Sequence, residues 1–198
     1  MLIAKELLLS YGAEIELFEP FQTIFNEGET PKYYYQLVEG RVKLNHYNDD
    51  GKELILAILD TGLSICELLL FIDKKYPVNA VTCEKSSILR LPKAAFFKLL
   101  DENPDISRDI NQFLSERLYF KYIMLENNSS LRPEVRITGV LNYLKSFSED
   151  QTKFSFEVPL TRQQLASMTA LRVETVVRAV KKLEKENFLK IINRKIYL

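Results

Sequence analysis

Residues 160–185 read LTRQQLASMTALRVETVVRAVKKLEK, and this stretch decides the fold. Thr161, followed three residues later by Gln164, has the capping-box pattern that begins an α-helix. A short turn at residues 169–172 leads to a second helix, which is predicted over Val173–Lys185. Two helices joined by a tight turn form a helix-turn-helix, whose second helix enters the DNA major groove N-terminus first.

Side chains at the start of the second helix are placed to read bases. Glu174 and Arg178 are four residues apart and therefore share one helix face. Arginine matches the two acceptors of guanine, glutamate accepts from the cytosine amino group, and an apolar side chain suits the thymine methyl group. The alternative is that the pair forms only a salt bridge on a solvated face. We predict that bases are read by Glu174, Arg178 and Val177.

The C-terminal third of the chain is basic. Residues 132–198 carry 13 lysines and arginines against 7 acidic residues, a balance of +6, whereas residues 1–131 carry 14 against 20, a balance of −6. A basic surface favours the phosphate backbone of nucleic acid. Contacts with this backbone position a protein without reading sequence. They are predicted for Thr161, Arg162, Gln163, Lys181 and Lys182.

The flanking segments complete a winged helix. A helix is predicted over Val135–Phe147, a strand over Phe154–Val158 and a β-hairpin over Leu189–Leu198. Upstream, a long amphipathic helix is predicted from Asn103 to about residue 127, followed by a polar hinge at residues 127–130.

The apolar stripe of the long helix has two interpretations. It either packs on its own β-domain or faces a partner, and a helix of more than about 20 residues after a small domain favours the partner. We therefore predict a dimerisation helix whose contacts are made by Ile110, Leu114, Leu118 and Leu125.

The N-terminal half has the pattern of a β-domain. Its glycines at positions 28, 40, 51 and 62 are separated by 12, 11 and 11 residues, with strand-like segments between them. Short strands with evenly spaced turns predict a barrel or jelly roll. Residues 41–46 alternate polar and apolar, which places His46 on the inner face with Val42 and Leu44. The tyrosines at positions 33–35 are explained as strand and core.

Composition excludes several classes of protein. One histidine cannot supply the ligands of a cupin metal site, and neither a catalytic triad nor a glycine-rich phosphate loop is present. No enzyme, catalytic residue or metal site is therefore predicted. Cys66 and Cys83 indicate neither a disulfide framework nor a zinc finger. The sequence has no apolar run of the roughly 18 residues that a membrane span needs and no signal-peptide pattern, which predicts a cytoplasmic protein without a membrane partner.

The motifs PLTRQQLA at 159–166 and VETVVRAVKKLE at 173–184 resemble the CRP/FNR family of bacterial transcription regulators. Upstream, YQLVEGRVKL at 35–44, GKE at 51–53 and CELLLF at 66–71 resemble that family's cyclic-nucleotide-binding β-roll. The resemblance implies an α+β fold with three parts. These are a double-stranded β-roll (jelly roll) over 1–103, a dimerisation helix and hinge over 104–129, and a winged helix-turn-helix over 130–198. It also implies a homodimer that binds an inverted repeat in double-stranded DNA and contacts RNA polymerase.

The sequence departs from this family at the effector site. The family's cyclic-AMP cassette has a glycine before Glu-Leu and an arginine that holds the cyclic phosphate. Here the glycine position is Cys66, and the Arg-Ser positions fall near Val78 and Asn79. A phosphate without its cation is poorly held, so cyclic AMP is not expected. The effector pocket is predicted to include Cys66, Glu67, Leu68 and Asn79.

Two other cofactors of the family are not expected either. Its haem-binding members have a histidine at the position of Leu68, and its oxygen sensors have N-terminal cysteines, whereas no cysteine precedes Cys66 here. Neither haem nor an iron–sulfur cluster is therefore predicted.

The helix-turn-helix also departs from the family at two positions. Ala170 replaces the glycine of the turn, and Arg172 replaces the serine or threonine that caps the second helix. Each change costs about 1 kcal/mol, the first if the turn residue has a positive φ. The alternative function is therefore a sensor or interaction module with a degenerate DNA-binding domain.

Overall fold

A computed structural model describes residues 2–198 of the chain. The chain forms two compact units, of which the first ends at Ser115 and the second spans Glu116–Leu198. Antiparallel sheets, a long helix and a C-terminal helix-turn-helix confirm the predicted α+β fold class. Finer domain boundaries, at residues 103/104 and 129/130, stay a prediction. Within residues 2–198, no helix is both long enough and apolar enough to cross a membrane.

Seven strands and two short helices make up most of the first unit. The strands are β1 (Glu14–Phe18), β2 (Thr23–Phe25), β3 (Tyr33–Glu39), β4 (Arg41–Tyr47), β5 (Glu53–Asp60), β6 (Asn79–Thr82) and β7 (Ser86–Pro92). The helices are α1 (Lys5–Ser10) and α2 (Lys93–Glu102), and a 3₁₀ helix spans Glu67–Leu70. The strands form two antiparallel sheets, ordered β1-β7-β3 and β2-β6-β4-β5.

The tyrosines of β3 alternate between two apolar cores, as expected for side chains of a strand. Tyr33 and Tyr35 belong to a cluster that joins side chains of both sheets. Tyr34 belongs to a second cluster with α1 and α2, where its ring stacks on Phe96 at a centroid distance of 4.5 Å. The explanation of these tyrosines as strand and core is confirmed.

The single histidine, His46 in β4, is not a core residue. Its side chain is 42% exposed, and its Nδ1 lies 2.7 Å from Glu27 Oε2. The register between β4 and β5 shifts after Leu44, but the extra residue is Leu56 of β5, and β4 pairs with β6 without a shift. The prediction of an inward-facing His46 was wrong because its side chain is largely exposed.

The long helix α3 (Pro104–Ser129) extends from the first unit into the second. Residues 127–129 are helical, so the predicted hinge is confined to the few residues before the next helix begins at Pro133. Ile110 is fully buried in the core of the first unit, and Leu114 packs against the same core.

The second unit contains three further helices and a β-hairpin. These are α4 (Pro133–Ser146), α5 (Arg162–Thr169), α6 (Val173–Lys185), β8 (Lys190–Ile192) and β9 (Lys195–Tyr197). The predicted bounds of α6 are confirmed. The strand predicted over 154–158 is confined to its C-terminal part. Phe154 has a φ of +67°, whereas Phe156 and Val158 form backbone hydrogen bonds with Leu198 and Ile196, on either side of a bridge between Glu157 and Tyr197.

Candidate nucleic-acid interface

The first helix of the helix-turn-helix begins with the predicted capping box. The Gln164 backbone N–H donates to Thr161 Oγ1 at 3.1 Å, and the Gln164 side chain accepts from the Thr161 backbone N–H at 2.9 Å. These reciprocal bonds satisfy two amide groups that a helix start otherwise leaves unpaired. The position at which α5 begins is therefore fixed by its own sequence.

The turn between α5 and α6 has the strained geometry that its sequence suggested. Ala170 has a φ of +55° in the left-handed region, where its Cβ is disfavoured. Arg172 precedes α6 and provides no side-chain hydrogen bond to cap it. The backbone nevertheless closes the turn, because the Leu171 N–H donates to the Ala166 carbonyl at 3.0 Å.

The second helix, α6, has one buried face and one exposed face. Its apolar side chains are packed in the core of the second unit: Val176, Ala179, Val180 and Leu183. With 100° between successive residues, the opposite face presents Glu174, Arg178, Lys181 and Lys185, with Val177 at its edge. All five are exposed. The structure thus places the three predicted base-reading residues on one accessible surface.

Glu174 and Arg178 do not form a salt bridge. Neither makes a hydrogen bond or ion pair with any residue in the range 2–198. An exposed carboxylate and guanidinium without protein partners remain available for a ligand. The alternative of a surface salt bridge between these two residues is therefore absent from this structure.

The predicted phosphate-contacting residues are not equivalent. Gln163 and Lys181 are exposed, whereas Arg162 is half-buried and burial lowers the pKa of its guanidinium. Lys182 Nζ lies 2.8 Å from Glu134 Oε1 of α4, and this hydrogen bond raises the pKa of Lys182. No local pattern predicts this pairing, because Glu134 lies 48 positions from Lys182 in the chain.

Two exposed cations of the second unit were not singled out from the sequence. Lys185 continues the exposed face of α6 by one further turn. Arg194 is exposed in the two-residue turn between β8 and β9, where Asn193 and Arg194 have φ values of +49° and +65°. Consecutive residues with positive φ form the type I′ turn of tight hairpins, which usually contains glycine. The hairpin thus holds an arginine at a strained position.

The predicted effector-pocket residues differ in burial. Cys66 and Glu67 are buried, and Cys66 has a φ of +55°. Leu68 is exposed, and Asn79 accepts from the Glu27 backbone and donates to the Asn45 carbonyl. None of the four lines the cavity found in the β-roll, whose walls are aromatic side chains around Tyr76. Cys66 belongs to an apolar core cluster, and the assignment of these four residues to an effector pocket stays a prediction.

The four predicted dimerisation residues lie on one face of α3, within about 80° of one another, but differ in burial. Ile110 is buried in the core of the first unit, and Leu114 is half-buried against the same core. Leu118 and Leu125 are 53% and 72% exposed, and the exposed Tyr122 lies between them at helical spacing. The C-terminal part of the stripe is therefore the part that is available to a partner, and its role in dimerisation stays a prediction.

No metal centre is found among residues 2–198, where no group of three or more histidine, cysteine, aspartate or glutamate side chains is suitably arranged.

Two domain families match the chain. The cyclic nucleotide-binding domain matches residues 15–103, and the Crp-like helix-turn-helix domain matches residues 135–198. A curated relative is the cAMP-activated global transcriptional regulator CRP of Haemophilus influenzae, which is 28% identical over 172 residues, 84% of this chain and 75% of the relative. The Escherichia coli O157:H7 protein of the same description is 29% identical over 84% of this chain and 80% of the relative.

Solved structures agree on the fold. The c-di-GMP responsive global regulator CLP of Xanthomonas campestris is similar with a TM-score of 0.78 and 22% identity, over 98% of this chain and 96% of that one. A mutant form of CooA from Carboxydothermus hydrogenoformans is similar with a TM-score of 0.82 and 16% identity, over 96% of this chain and 85% of that one.

Proposed function

Because this chain belongs to the CRP/FNR family of transcription regulators, we propose that it acts as a homodimer that reads an inverted repeat in double-stranded DNA through α6. It is a DNA-binding transcription regulator of the CRP/FNR type and not an enzyme. The proposal concerns how it reads DNA, how it pairs and what controls it.

One observation carries the reading mechanism: Glu174 and Arg178 are exposed on one face of α6 and make no ion pair within residues 2–198. A guanidinium presents paired donors that match the two acceptors of guanine, and a carboxylate accepts from the cytosine amino group. Val177 at the edge of this face suits a thymine methyl group. We assign phosphate contacts to Thr161, Arg162, Gln163, Lys181 and Lys182, of which Lys182 has to share its charge with Glu134.

Dimerisation is supported by exposed apolar side chains on α3. Leu118, Tyr122 and Leu125 lie on one side of the helix and are exposed. Two-fold pairing along this stripe makes an isologous interface, in which each stripe contacts its copy. Two helix-turn-helix units related by such an axis bind half-sites with centres about 34 Å apart, one turn of DNA.

The effector is proposed not to be cyclic AMP, although two relatives are described as cAMP-activated. A cyclic phosphate needs a cation in a partly dry site. Near the corresponding position, Val78 is buried in the same apolar cluster as Cys66 and Tyr76. Titration calorimetry of the purified protein with cyclic AMP should detect no binding tighter than about 1 mM. Micromolar affinity would contradict this part of the proposal. Contact with RNA polymerase and a cytoplasmic location stay predictions.

A mobility-shift assay on genomic fragments tests DNA binding itself. The wild-type protein should shift a subset of fragments, and Arg178→Ala should weaken binding to those fragments more than to random DNA. A matched control is Arg108→Ala, which removes an exposed arginine whose partner is Asp105 on α3. If the wild-type protein shifts no fragment at any salt concentration, the helix-turn-helix is degenerate and the chain acts through protein contacts.

A further inference from the structure

The β-roll contains a cavity of about 350 Å³ beside the loop that joins β2 to β3. Four aromatic side chains line it, Phe25, Tyr33, Tyr35 and Tyr76, together with Glu29, Lys32 and the loop backbone. Its volume lies at the lower end of the range for small-molecule sites. All of its lining residues belong to the first unit, and none belongs to the effector pocket predicted from sequence.

The cavity walls are held in place by stacking and by backbone hydrogen bonds. The Phe25 and Tyr76 rings stack with centroids 3.7 Å apart and an interplanar angle of 11°. The Gly28 N–H donates to the Tyr76 carbonyl at 2.8 Å, and the Tyr76 N–H donates to the Glu29 carbonyl at 2.9 Å. The loop is therefore clamped against Tyr76, and the space exists without a ligand to open it.

Two tyrosine hydroxyls at this cavity have no hydrogen-bond partner in the described part of the chain. Tyr35 and Tyr76 are only 8% and 4% exposed, yet neither hydroxyl makes a hydrogen bond with any residue in 2–198. The buried side-chain oxygen atoms without a hydrogen bond belong to other residues, namely Asn45, Ser64 and Asn128. The two hydroxyls therefore reach accessible space, and the cavity is the space that both side chains line.

Both hydroxyls remain protonated at neutral pH and can donate hydrogen bonds. Burial raises the pKa of Tyr35 to about 12 and also raises the pKa of Tyr76. A buried donor without an acceptor costs free energy, so these groups favour a ligand that carries acceptor oxygens.

The cavity lining contains one charge of each sign, at Glu29 and Lys32. The Glu29 carboxylate already accepts a hydrogen bond from Asn26 Nδ2 at 2.8 Å. The Lys32 ammonium is exposed and has no ion pair with any residue in the described part of the chain. A carboxylate would satisfy Lys32 through a charge-assisted hydrogen bond.

We propose that this cavity is a binding site for a small aromatic carboxylate. The ring would contact the aromatic walls, and the carboxylate would accept from the hydroxyls of Tyr35 and Tyr76 and from Lys32. One ring with a short acid side chain matches the size of the cavity, whereas a cyclic dinucleotide does not. Binding is independent of the DNA-reading mechanism, but a role of this ligand in regulation rests on the proposed function.

Calorimetry on the full-length protein without DNA tests the site, with phenylacetate and benzoate as probes and benzyl alcohol as the uncharged comparison. We expect saturable binding of one acid per chain, and affinity at least about tenfold weaker for the alcohol. Lys32→Gln should weaken acid binding about tenfold, and Tyr76→Phe, which keeps the ring, about fivefold. The matched control is Lys85→Gln, which changes an exposed lysine outside the cavity and should bind as the wild type.

The proposal is overturned if neither acid binds below about 10 mM, or if Lys32→Gln and Tyr76→Phe both bind the acids as tightly as the wild type. A mobility-shift assay on the same variants separates this result from DNA binding. Variants that lose the acid but retain a DNA shift show that the fold is intact. If the wild-type protein binds the acid but not DNA, the ligand site is supported and the proposed function is contradicted.

Discussion

Replacing Leu118 and Leu125 together by glutamate should dissociate the proposed homodimer. These leucines are 53% and 72% exposed on α3, so about this fraction of each side chain is available for burial in a partner interface. Complete burial of a leucine contributes about 2 kcal/mol. The two exposed fractions together correspond to about 2.5 kcal/mol per protomer, and to about 5 kcal/mol for the pair of protomers. Loss of this burial weakens the dimer by a factor on the order of 10³–10⁴.

Sedimentation velocity at micromolar concentration measures the outcome. The wild-type protein should sediment at twice the 23.1 kDa chain mass, and the double variant at the mass of one chain. Leu17→Glu is the matched control, because Leu17 in β1 is 73% exposed and lies outside the stripe. A double variant that remains dimeric, or a wild-type protein that is monomeric with and without DNA, would refute the assignment of the interface to α3.

Three further substitutions test the geometry of the DNA-binding unit. Ala170→Gly should raise the free energy of unfolding in guanidinium by about 1 kcal/mol, because the residue has a φ of +55°, and an unchanged or lower stability would contradict this. Lys185→Ala should weaken DNA binding in a salt titration more than Lys182→Ala does, because Lys182 is already paired; equal effects would show that the pairing is unimportant in solution. Arg194→Gly should relax the hairpin turn and raise stability while reducing the salt dependence of DNA binding by about one phosphate contact. Asn193→Gly keeps the arginine as a control, and a change in salt dependence with that variant too would assign the effect to turn shape.

Local patterns in the sequence are sufficient to predict the helix-turn-helix. The capping box at Thr161 and the apolar spacing of Val173–Lys185 depend on residues within a few positions of one another, and both are confirmed. The strained φ at Ala170 was also anticipated, because a conformation that suits glycine is imposed by the turn itself.

Features that depend on long-range packing were not predictable in the same way. His46 is 42% exposed although it alternates with the buried Val42 and Leu44, and no pattern in residues 41–46 predicts this exposure. The stripe on α3 is one face, but its burial differs along the helix: Ile110 packs in the core of the first unit, whereas Leu125 is 72% exposed. The cavity beside Tyr76 requires the loop after β2 to fold against a residue about 50 positions away, which no local motif encodes.

Selection from a randomised DNA library tests the central claim most directly, because it measures base preference at every position of the site. The wild-type protein should select an inverted repeat with half-site centres about one helical turn apart. Arg178→Ala should lose the preference for one guanine in each half-site, and Glu174→Ala the preference for one cytosine, with the other positions retained. Selection of the wild-type sequence by both variants would show that α6 does not read DNA through these side chains.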